Sequence, residues 1–290
     1  MKFYITDVFG ESKYSGNQLA TYRCESPLAT GEMQKIAREI NFSESTFILS
    51  EEEENGGYNI RIFTPIKEVD FAGHPVLGTA YIIRQHIIKD PVQKVIINLK
   101  IGQIPVTFAG HNSETLWMEQ IEPTFGNIFG IDDLSKILNI PQEAFDTSFP
   151  IQEVSTGLPH IIVPLKKLKY LRSAKVSKEL YFKFIDKTWA KNILIFCPES
   201  YTNSHDMSVR MFADYLGITE DPATGSGNGC LAGYLIKYRY FNSTEVEIKI
   251  GQGYEVNRPS LLLLRAKEHD SQIKISVGGK VIPIAEGQWG

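Results

Sequence analysis

The hydrophobic residues in the first half of the chain follow two periods. Alternation of apolar and polar residues is typical of strands, whereas spacings of three and four residues are typical of an amphipathic helix. Met33, Ile36, Ala37 and Ile40 have the helical spacing, and Thr30 is placed to cap that helix. Strands are predicted on either side of it, over residues 2–9, 18–24, 46–49 and 58–64.

The second half repeats this order. A helix is predicted to begin near Ser177, with strands over residues 151–156, 160–165, 193–197 and 207–212. "IRIF" at 60–63 matches "VRMF" at 209–212, and "IGQIPV" from 101 matches "IGQGYEV" from 250, both at an offset of 149 residues. Two matches at one offset indicate an internal duplication.

In each half, a glycine-containing turn and an apolar helix follow the last of these strands. The two stretches are "FAGHPVLGTAY" at 71–81 and "TGSGNGCLAGY" at 224–234. A helix that is apolar on all sides must be buried on all sides. We therefore predict an α/β (α+β) fold with two similar halves, each a curled mixed sheet around a central apolar helix.

The first half-domain is predicted to span residues 1–115, with a C-terminal strand at 276–290 returning to it. The second is predicted to span residues 116–275. A cleft between two such halves is a common place for a small-molecule site.

Both turns have features of an anion-binding site. Gly73 permits close backbone approach, His74 is placed to act as the N-cap, and Pro75 suits the first helical position. The unpaired N–H groups and the positive dipole end of a helix favour an anion there. If both turns face one cleft, the expected ligand carries a carboxylate or a similar anion.

Composition argues against several classes of function. The formal net charge of -4 argues against a nucleic-acid partner, because basic residues cluster only in the short stretch "LKKLKYLR" at 165–172, which is interpreted as a solvated face. No apolar run reaches the roughly 18 residues of a membrane span, and the start of the chain lacks the features of a signal peptide. Three widely separated cysteines offer no disulfide framework, which favours a reducing, cytoplasmic location.

Glu44 and His74 are candidates for proton transfer. Glu44 lies between the amphipathic helix and an apolar strand, and a carboxylate at the edge of a core usually has a raised pKa, which suits a general acid or base. A solvated turn glutamate is the simpler interpretation of its position alone. His74 is a general acid, a donor to the ligand, or only a helix cap.

Asp221 and Ser226 belong to the second turn. Asp221 either takes part in the chemistry or caps the turn at Pro222, and Ser226 either donates to an anion or caps the helix. Asn17 and His160 are weaker candidates, because such residues more often stabilise turns.

No metal or cofactor is predicted. The six histidines, at 74, 86, 111, 160, 205 and 269, show no metal-binding spacing. The glycine-rich stretch at 225–229 is neither a P-loop nor a dinucleotide-binding turn, and the chain has no GxSxG elbow.

Three stretches together resemble the signatures of the PhzF-like family, named for phenazine biosynthesis. They are "NFSESTF", "FTPIKEVDFAGHPVLGTA" and "EDPATGSGNG". "SGNQLA" is similar to a fourth family stretch, although Gln18 stands where the family usually has proline. The resemblance covers essentially the whole chain. It implies a diaminopimelate epimerase-like fold, an active site between the halves, and a homodimer.

The resemblance also implies roles for individual residues. In the best understood family member, a glutamate moves a proton between two ring carbons of a dihydro-hydroxyanthranilate, and by motif match that residue is Glu44. The family's histidine and aspartate fall on His74 and Asp221. Its contacts to the substrate carboxylate fall on Gly73, Gly225 and Ser226.

Three functions stay open. The favoured one is a cofactor-independent isomerase that shifts a proton within a small carboxylate-bearing substrate through one carboxylate, since the two thiols of related epimerases and proline racemases are absent from these turns. The second is an amino-acid-type racemase or epimerase with Glu44 and Asp221 as opposed bases. The third is a non-catalytic protein that binds a small molecule.

Overall fold

The computed structural model describes residues 1–90, 92–109 and 115–290. The chain divides into two compact units. Unit 1 comprises Met1–Glu119 with Val277–Gly290, and unit 2 comprises Gln120–Ser276. His111 lies outside the described residues. The predicted half-domain limits, 1–115 with 276–290 and 116–275, stay predictions.

The described part of unit 1 contains two helices, α1 (Thr30–Ile40) and α2 (Gly73–His86). Its strands are β1 (Lys2–Val8), β2 (Asn17–Arg23), β3 (Glu44–Ile48), β4 (Tyr58–Phe63), β5 (Glu68–Val69), β6 (Lys94–Leu99), β7 (Gly102–Phe108) and β8 (Thr115–Glu119). The last strand of the chain, β17 (Gln272–Gln288), begins in unit 2 and continues into unit 1.

The strands of unit 1 close into a ring. Antiparallel pairs join β1 to β2, β3 to β4, β6 to β7 and β7 to β8, and parallel pairs join β2 to β3 and β4 to β6. β17 pairs with β8 and, antiparallel, with β1. Both parallel pairs need a crossover, and α1 and α2 lie on those two connections.

Helix α2 is buried as predicted for a central helix. Every residue from Gly73 to Ala80 is buried, and so are Ile82 and Ile83. A Cβ at Gly78 would lie only 2.4 Å from Leu19 Cδ2, so the surrounding strands approach the helix closely. The amphipathic helix α1 instead buries one face, formed by Met33, Ile36 and Ala37.

The structure places the start of α1 differently from the prediction. Thr30 is the first helical residue rather than the N-cap, and the residue in the N-cap position is Ala29, which has no side-chain oxygen. The Thr30 hydroxyl accepts a hydrogen bond from Arg61 at 2.9 Å. The side chain that was expected to cap the helix therefore bonds to a residue 31 positions away in the sequence, a contact that local helix propensity cannot predict.

Unit 2 contains four helices, α3 (Ile131–Leu138), α4 (Leu168–Ser173), α5 (Lys178–Ile185) and α6 (Gly225–Lys237). Its strands are β9 (Thr124–Phe129), β10 (Ile151–Ser155), β11 (Pro159–Pro164), β12 (Asn192–Cys197), β13 (Met207–Ala213), β14 (Ile218–Asp221), β15 (Glu245–Gln252) and β16 (Ser260–His269). Short 3-10 turns lie at Gln142–Ala144 and Asp214–Leu216.

The sheet of unit 2 is also mixed. β9, β10 and β11 pair antiparallel, as do β12 with β13, β13 with β14, and β15 with β16. β11 with β12, and β13 with β15, pair parallel. Helix α6 lies on the second of these crossovers, and it is buried without interruption from Gly225 to Ile236.

The two units share the predicted order of elements, to which the structure adds helix α4 and the short strands β5 and β14. The predicted fold class is confirmed. Arg61 and Arg210, the arginines of the repeated "IRIF" and "VRMF" sequences, lie in the corresponding strands β4 and β13. Each makes a two-pronged ion pair with a glutamate, Arg61 with Glu68 and Arg210 with Glu220. The internal duplication itself stays a prediction.

Within the described ranges, no helix has both the length and the apolar character that crossing a membrane requires.

Candidate active site

Glu44 and His74 meet inside unit 1. Glu44 is the first residue of β3, and it lies on the same face of that strand as Thr46, because side chains alternate along a strand. That face is turned toward α2, since the Thr79 hydroxyl of α2 donates to the Thr46 hydroxyl at 2.8 Å. Glu44 Oε2 lies 3.6 Å from His74 Nε2, and both side chains are buried.

Burial keeps His74 neutral. Loss of solvent lowers the pKa of His74 from 6.5 to about 3, while a hydrogen bond with the Gln18 backbone opposes this change. The side-chain amide of Asn17 lies 3.1 Å from His74 Nδ1. At neutral pH this imidazole therefore has one N–H and one lone pair, and it can act as a donor or an acceptor without carrying charge.

The start of α2 corrects the expected cap. The N-cap is Ala72, so Gly73, His74 and Pro75 are the first three helical residues. Pro75 is tolerated there because the first N–H groups of a helix have no partner within the helix. His74 is therefore not the cap, and its ring is available for the contacts with Asn17 and Glu44.

The second turn precedes α6 in unit 2. Asp221 ends β14 and is buried, and its Oδ2 accepts a hydrogen bond from the Thr224 hydroxyl at 2.5 Å. Thr224 occupies the N-cap position, and Gly225 and Ser226 are the first two helical residues. Like Gly73 in α2, these two residues offer N–H groups at a helix start, where an anion is favoured.

Gln252, which none of the sequence motifs indicated as a site residue, supports this turn. Its fully buried side chain accepts from the Thr224 N–H at 3.2 Å and from the Asn228 amide at 2.9 Å. Its own amide donates to the Asp221 carbonyl at 2.8 Å and to the Thr224 hydroxyl at 3.0 Å. The repeated "IGQ" was the available signal, because Gln252 ends the second copy.

His160 and Cys230 are close together in unit 2. His160 Nδ1 lies 2.9 Å from the Leu158 carbonyl and 3.7 Å from Cys230 Sγ. Burial lowers the pKa of His160 to about 4 and raises the pKa of the Cys230 thiol to about 12. Burial also raises the pKa of Cys24 and Cys197, and all three cysteines are free. None of them has the lowered pKa that a thiolate base needs.

Within each unit the predicted residues gather at the start of the buried helix. Glu44, Gly73 and His74 do so in unit 1, and Asp221, Gly225 and Ser226 in unit 2. That both groups face one cleft stays a prediction.

The aromatic residues near the motifs differ in burial. Tyr14 is 71% exposed and has a positive φ, whereas Phe42 packs against the core beside α1.

Known proteins resemble this chain over its whole length. The family model described as phenazine biosynthesis-like protein matches residues 6–287. A trans-2,3-dihydro-3-hydroxyanthranilate isomerase of Pseudomonas aeruginosa is 30% identical over 290 residues, which covers 99% of this chain and 98% of the relative. A Bacillus anthracis phenazine biosynthesis protein of the PhzF family has a similar structure, with 27% identity, a TM-score of 0.88, and coverage of 99% and 98% of the two chains.

A more distant structure shows the fold alone. A probable proline racemase from Agrobacterium radiobacter has a TM-score of 0.70 at 9% identity, covering 100% of this chain and 92% of the other. That likeness agrees with a diaminopimelate epimerase-like fold. Together with the family match and the isomerase relatives, it confirms the resemblance seen in the motifs. The chain belongs to the phenazine biosynthesis-like (PhzC-PhzF) family and is an enzyme of the isomerase class.

Proposed function

We propose that this isomerase shifts a proton within a small carboxylate-bearing substrate and that Glu44 carries the proton. The contact between Glu44 and His74 inside unit 1 is the observation that supports the proposal most directly. The relative's name denotes a ring carboxylate with a hydroxyl group, and we propose a substrate of that chemical class here.

One carboxylate suffices for the step. Glu44 takes a proton from one carbon of the substrate, becomes a carboxylic acid, and returns that proton to another carbon of the same molecule. His74, as a neutral donor, stabilises the negative charge that develops on the substrate between the two proton transfers. Asp221 polarises the substrate or relays protons. The N–H groups of Gly73, Gly225 and Ser226 bind the substrate carboxylate, as helix starts favour anions.

Turnover of a ring hydroxy-carboxylate of the class proposed above tests the role of Glu44. We expect Glu44→Gln to lower turnover by about 10²- to 10⁴-fold, the usual contribution of an acid or base. Glu39→Gln, on the exposed face of α1, is the matched control and keeps wild-type turnover. Undiminished turnover in Glu44→Gln would remove Glu44 from the mechanism.

Stereochemistry separates this proposal from a racemase. A racemase with Glu44 and Asp221 as opposed bases removes a proton on one face and adds one on the other, which inverts a centre. A shift by Glu44 alone returns the proton to the face from which it came. Binding of small carboxylic acids with no turnover in the wild type would instead favour a non-catalytic binding protein.

Two properties of the whole protein belong to the same proposal. The family resemblance implies a homodimer, which analytical ultracentrifugation would detect as twice the chain mass of 32.7 kDa. Three free cysteines support a reducing, cytoplasmic location, which fractionation of the source cells would test.

A further inference from the structure

Three buried side chains of unit 1 form a continuous row. Asn17, the first residue of β2, is 1% exposed, and its amide lies 3.1 Å from His74 Nδ1. On the other side of the same ring, His74 Nε2 lies 3.6 Å from Glu44 Oε2. A contact between Asn17 and one nitrogen of the ring therefore affects the nitrogen that faces Glu44. The inference below rests on the proposed function, in which Glu44 carries the proton.

A neutral imidazole has two tautomers, and the groups on both sides decide between them. An ionised Glu44 favours a proton on Nε2, because a nitrogen lone pair facing a carboxylate is repelled. With the proton on Nε2, Nδ1 is an acceptor and needs a donor. The Asn17 amide is placed to be that donor.

The opposite tautomer would suit the other protonation state of Glu44. A hydrogen bond with the Gln18 backbone favours a proton on the ring. With that proton on Nδ1, the lone pair on Nε2 would face Glu44 and would suit a protonated carboxyl group. The tautomer of His74 and the protonation state of Glu44 are thus coupled.

We propose that Asn17 is a positioning residue that donates to His74 Nδ1, fixes the Nε2–H tautomer, and so keeps Glu44 ionised and ready to accept a proton. Asn17 itself exchanges no proton with the substrate. The titratable groups that face each other are Glu44 from β3 and His74 from α2, and their neighbours from β2, the Asn17 amide and the Gln18 backbone, are neutral.

Nitrogen NMR of the intact, ¹⁵N-labelled protein reads the tautomer without substrate. The His74 signals are assigned by their loss in His74→Gln. At neutral pH we expect a protonated Nε2 and an unprotonated Nδ1 in the wild type. Asn17→Leu, which has a similar volume and no donor, moves the proton wholly or partly to Nδ1. A wild-type spectrum with the proton on Nδ1 would overturn the proposal, as would an unchanged tautomer in a folded Asn17→Leu.

Asn192→Leu is the matched control, because Asn192 is also 1% exposed and also begins a strand, β12 of unit 2. It leaves the His74 signals unchanged. Thermal unfolding of both variants shows that they are folded before the spectra are compared.

The pH profile supplies a second readout that loss of structure alone would not produce. In Asn17→Leu, the Nε2–H that stabilises the Glu44 carboxylate is lost, so the acidic limb of the kcat profile moves to higher pH. An unmoved limb contradicts the coupling. If Glu44→Gln is fully active but the tautomer changes as expected, the proposed function fails while the role of Asn17 in setting the tautomer stands.

Discussion

At the scale of single residues, burial determines which form of each candidate group exists at neutral pH. It lowers the pKa of His74 to about 3 and that of His160 to about 4, so both imidazoles are neutral. It raises the pKa of Cys230 to about 12, so that thiol stays protonated. A thiolate base at Cys230 is therefore disfavoured, which agrees with the role proposed for Glu44.

The buried His160 makes the protein sensitive to acid. Its pKa falls from 6.5 in the unfolded chain to about 4 in the folded state, so the unfolded chain binds more protons between these values. The contribution of His160 to stability is complete above pH 6.5, and as pH falls toward about 4 this residue removes about 1.4 kcal/mol of the free energy of unfolding per pH unit. Chemical denaturation at several pH values measures the slope.

We expect His160→Gln to have a shallower slope than the wild type between pH 6.5 and about 4. His269→Gln, which replaces an exposed histidine, is the control and keeps the wild-type slope. Equal slopes for wild type and His160→Gln would contradict the prediction.

At the scale of elements, the two buried helices begin alike but are supported differently. The turn before α6 is held by four hydrogen bonds to Gln252, whose counterpart 149 residues earlier is Gln103. Gln103 is exposed and bonds to the Asn55 carbonyl and to Asn98 instead. The repeated motif was predictable from the sequence, whereas the different partners of its two glutamines were not.

Gln252→Leu tests this support. The change leaves several buried polar groups of the α6 turn without partners, each worth about 1–3 kcal/mol, so we expect the free energy of unfolding to fall by at least about 2 kcal/mol. Turnover falls too if Asp221 and Ser226 act as proposed. Gln103→Leu is the matched control and changes stability by less than about 1 kcal/mol. A stability loss no larger in Gln252→Leu than in Gln103→Leu would contradict the argument.

At the scale of the whole molecule, the end of the chain completes the fold of its beginning. β17 pairs with β1 from Lys2 opposite Gln288 to Val8 opposite Val281, and Trp289 packs against the rings of Phe3 and Tyr22. Without this strand, β1 would be an edge strand with unpaired backbone groups. The ring of strands around α2 therefore depends on residues from both ends of the sequence.

Removal of residues 281–290 tests this dependence. We expect faster amide hydrogen exchange in β1 and a lower melting temperature, because β1 loses its hydrogen bonds on one side. Exchange in β10 and β11, which lie in unit 2, is the internal control and changes less. Wild-type protection of β1 in the shortened chain would show that β17 is dispensable for the ring.

The sequence alone determined the order of strands and helices, the two buried helices and the glycine turns that begin them. Those features are local, because the spacing of apolar residues and the presence of glycine act within a few positions. The return of a C-terminal strand to the first half was also predicted, but only the tertiary structure decided that its partner is β1, that Asn17 contacts His74, and that Gln252 supports the α6 turn. These contacts join residues far apart in the chain, where no local period specifies a partner.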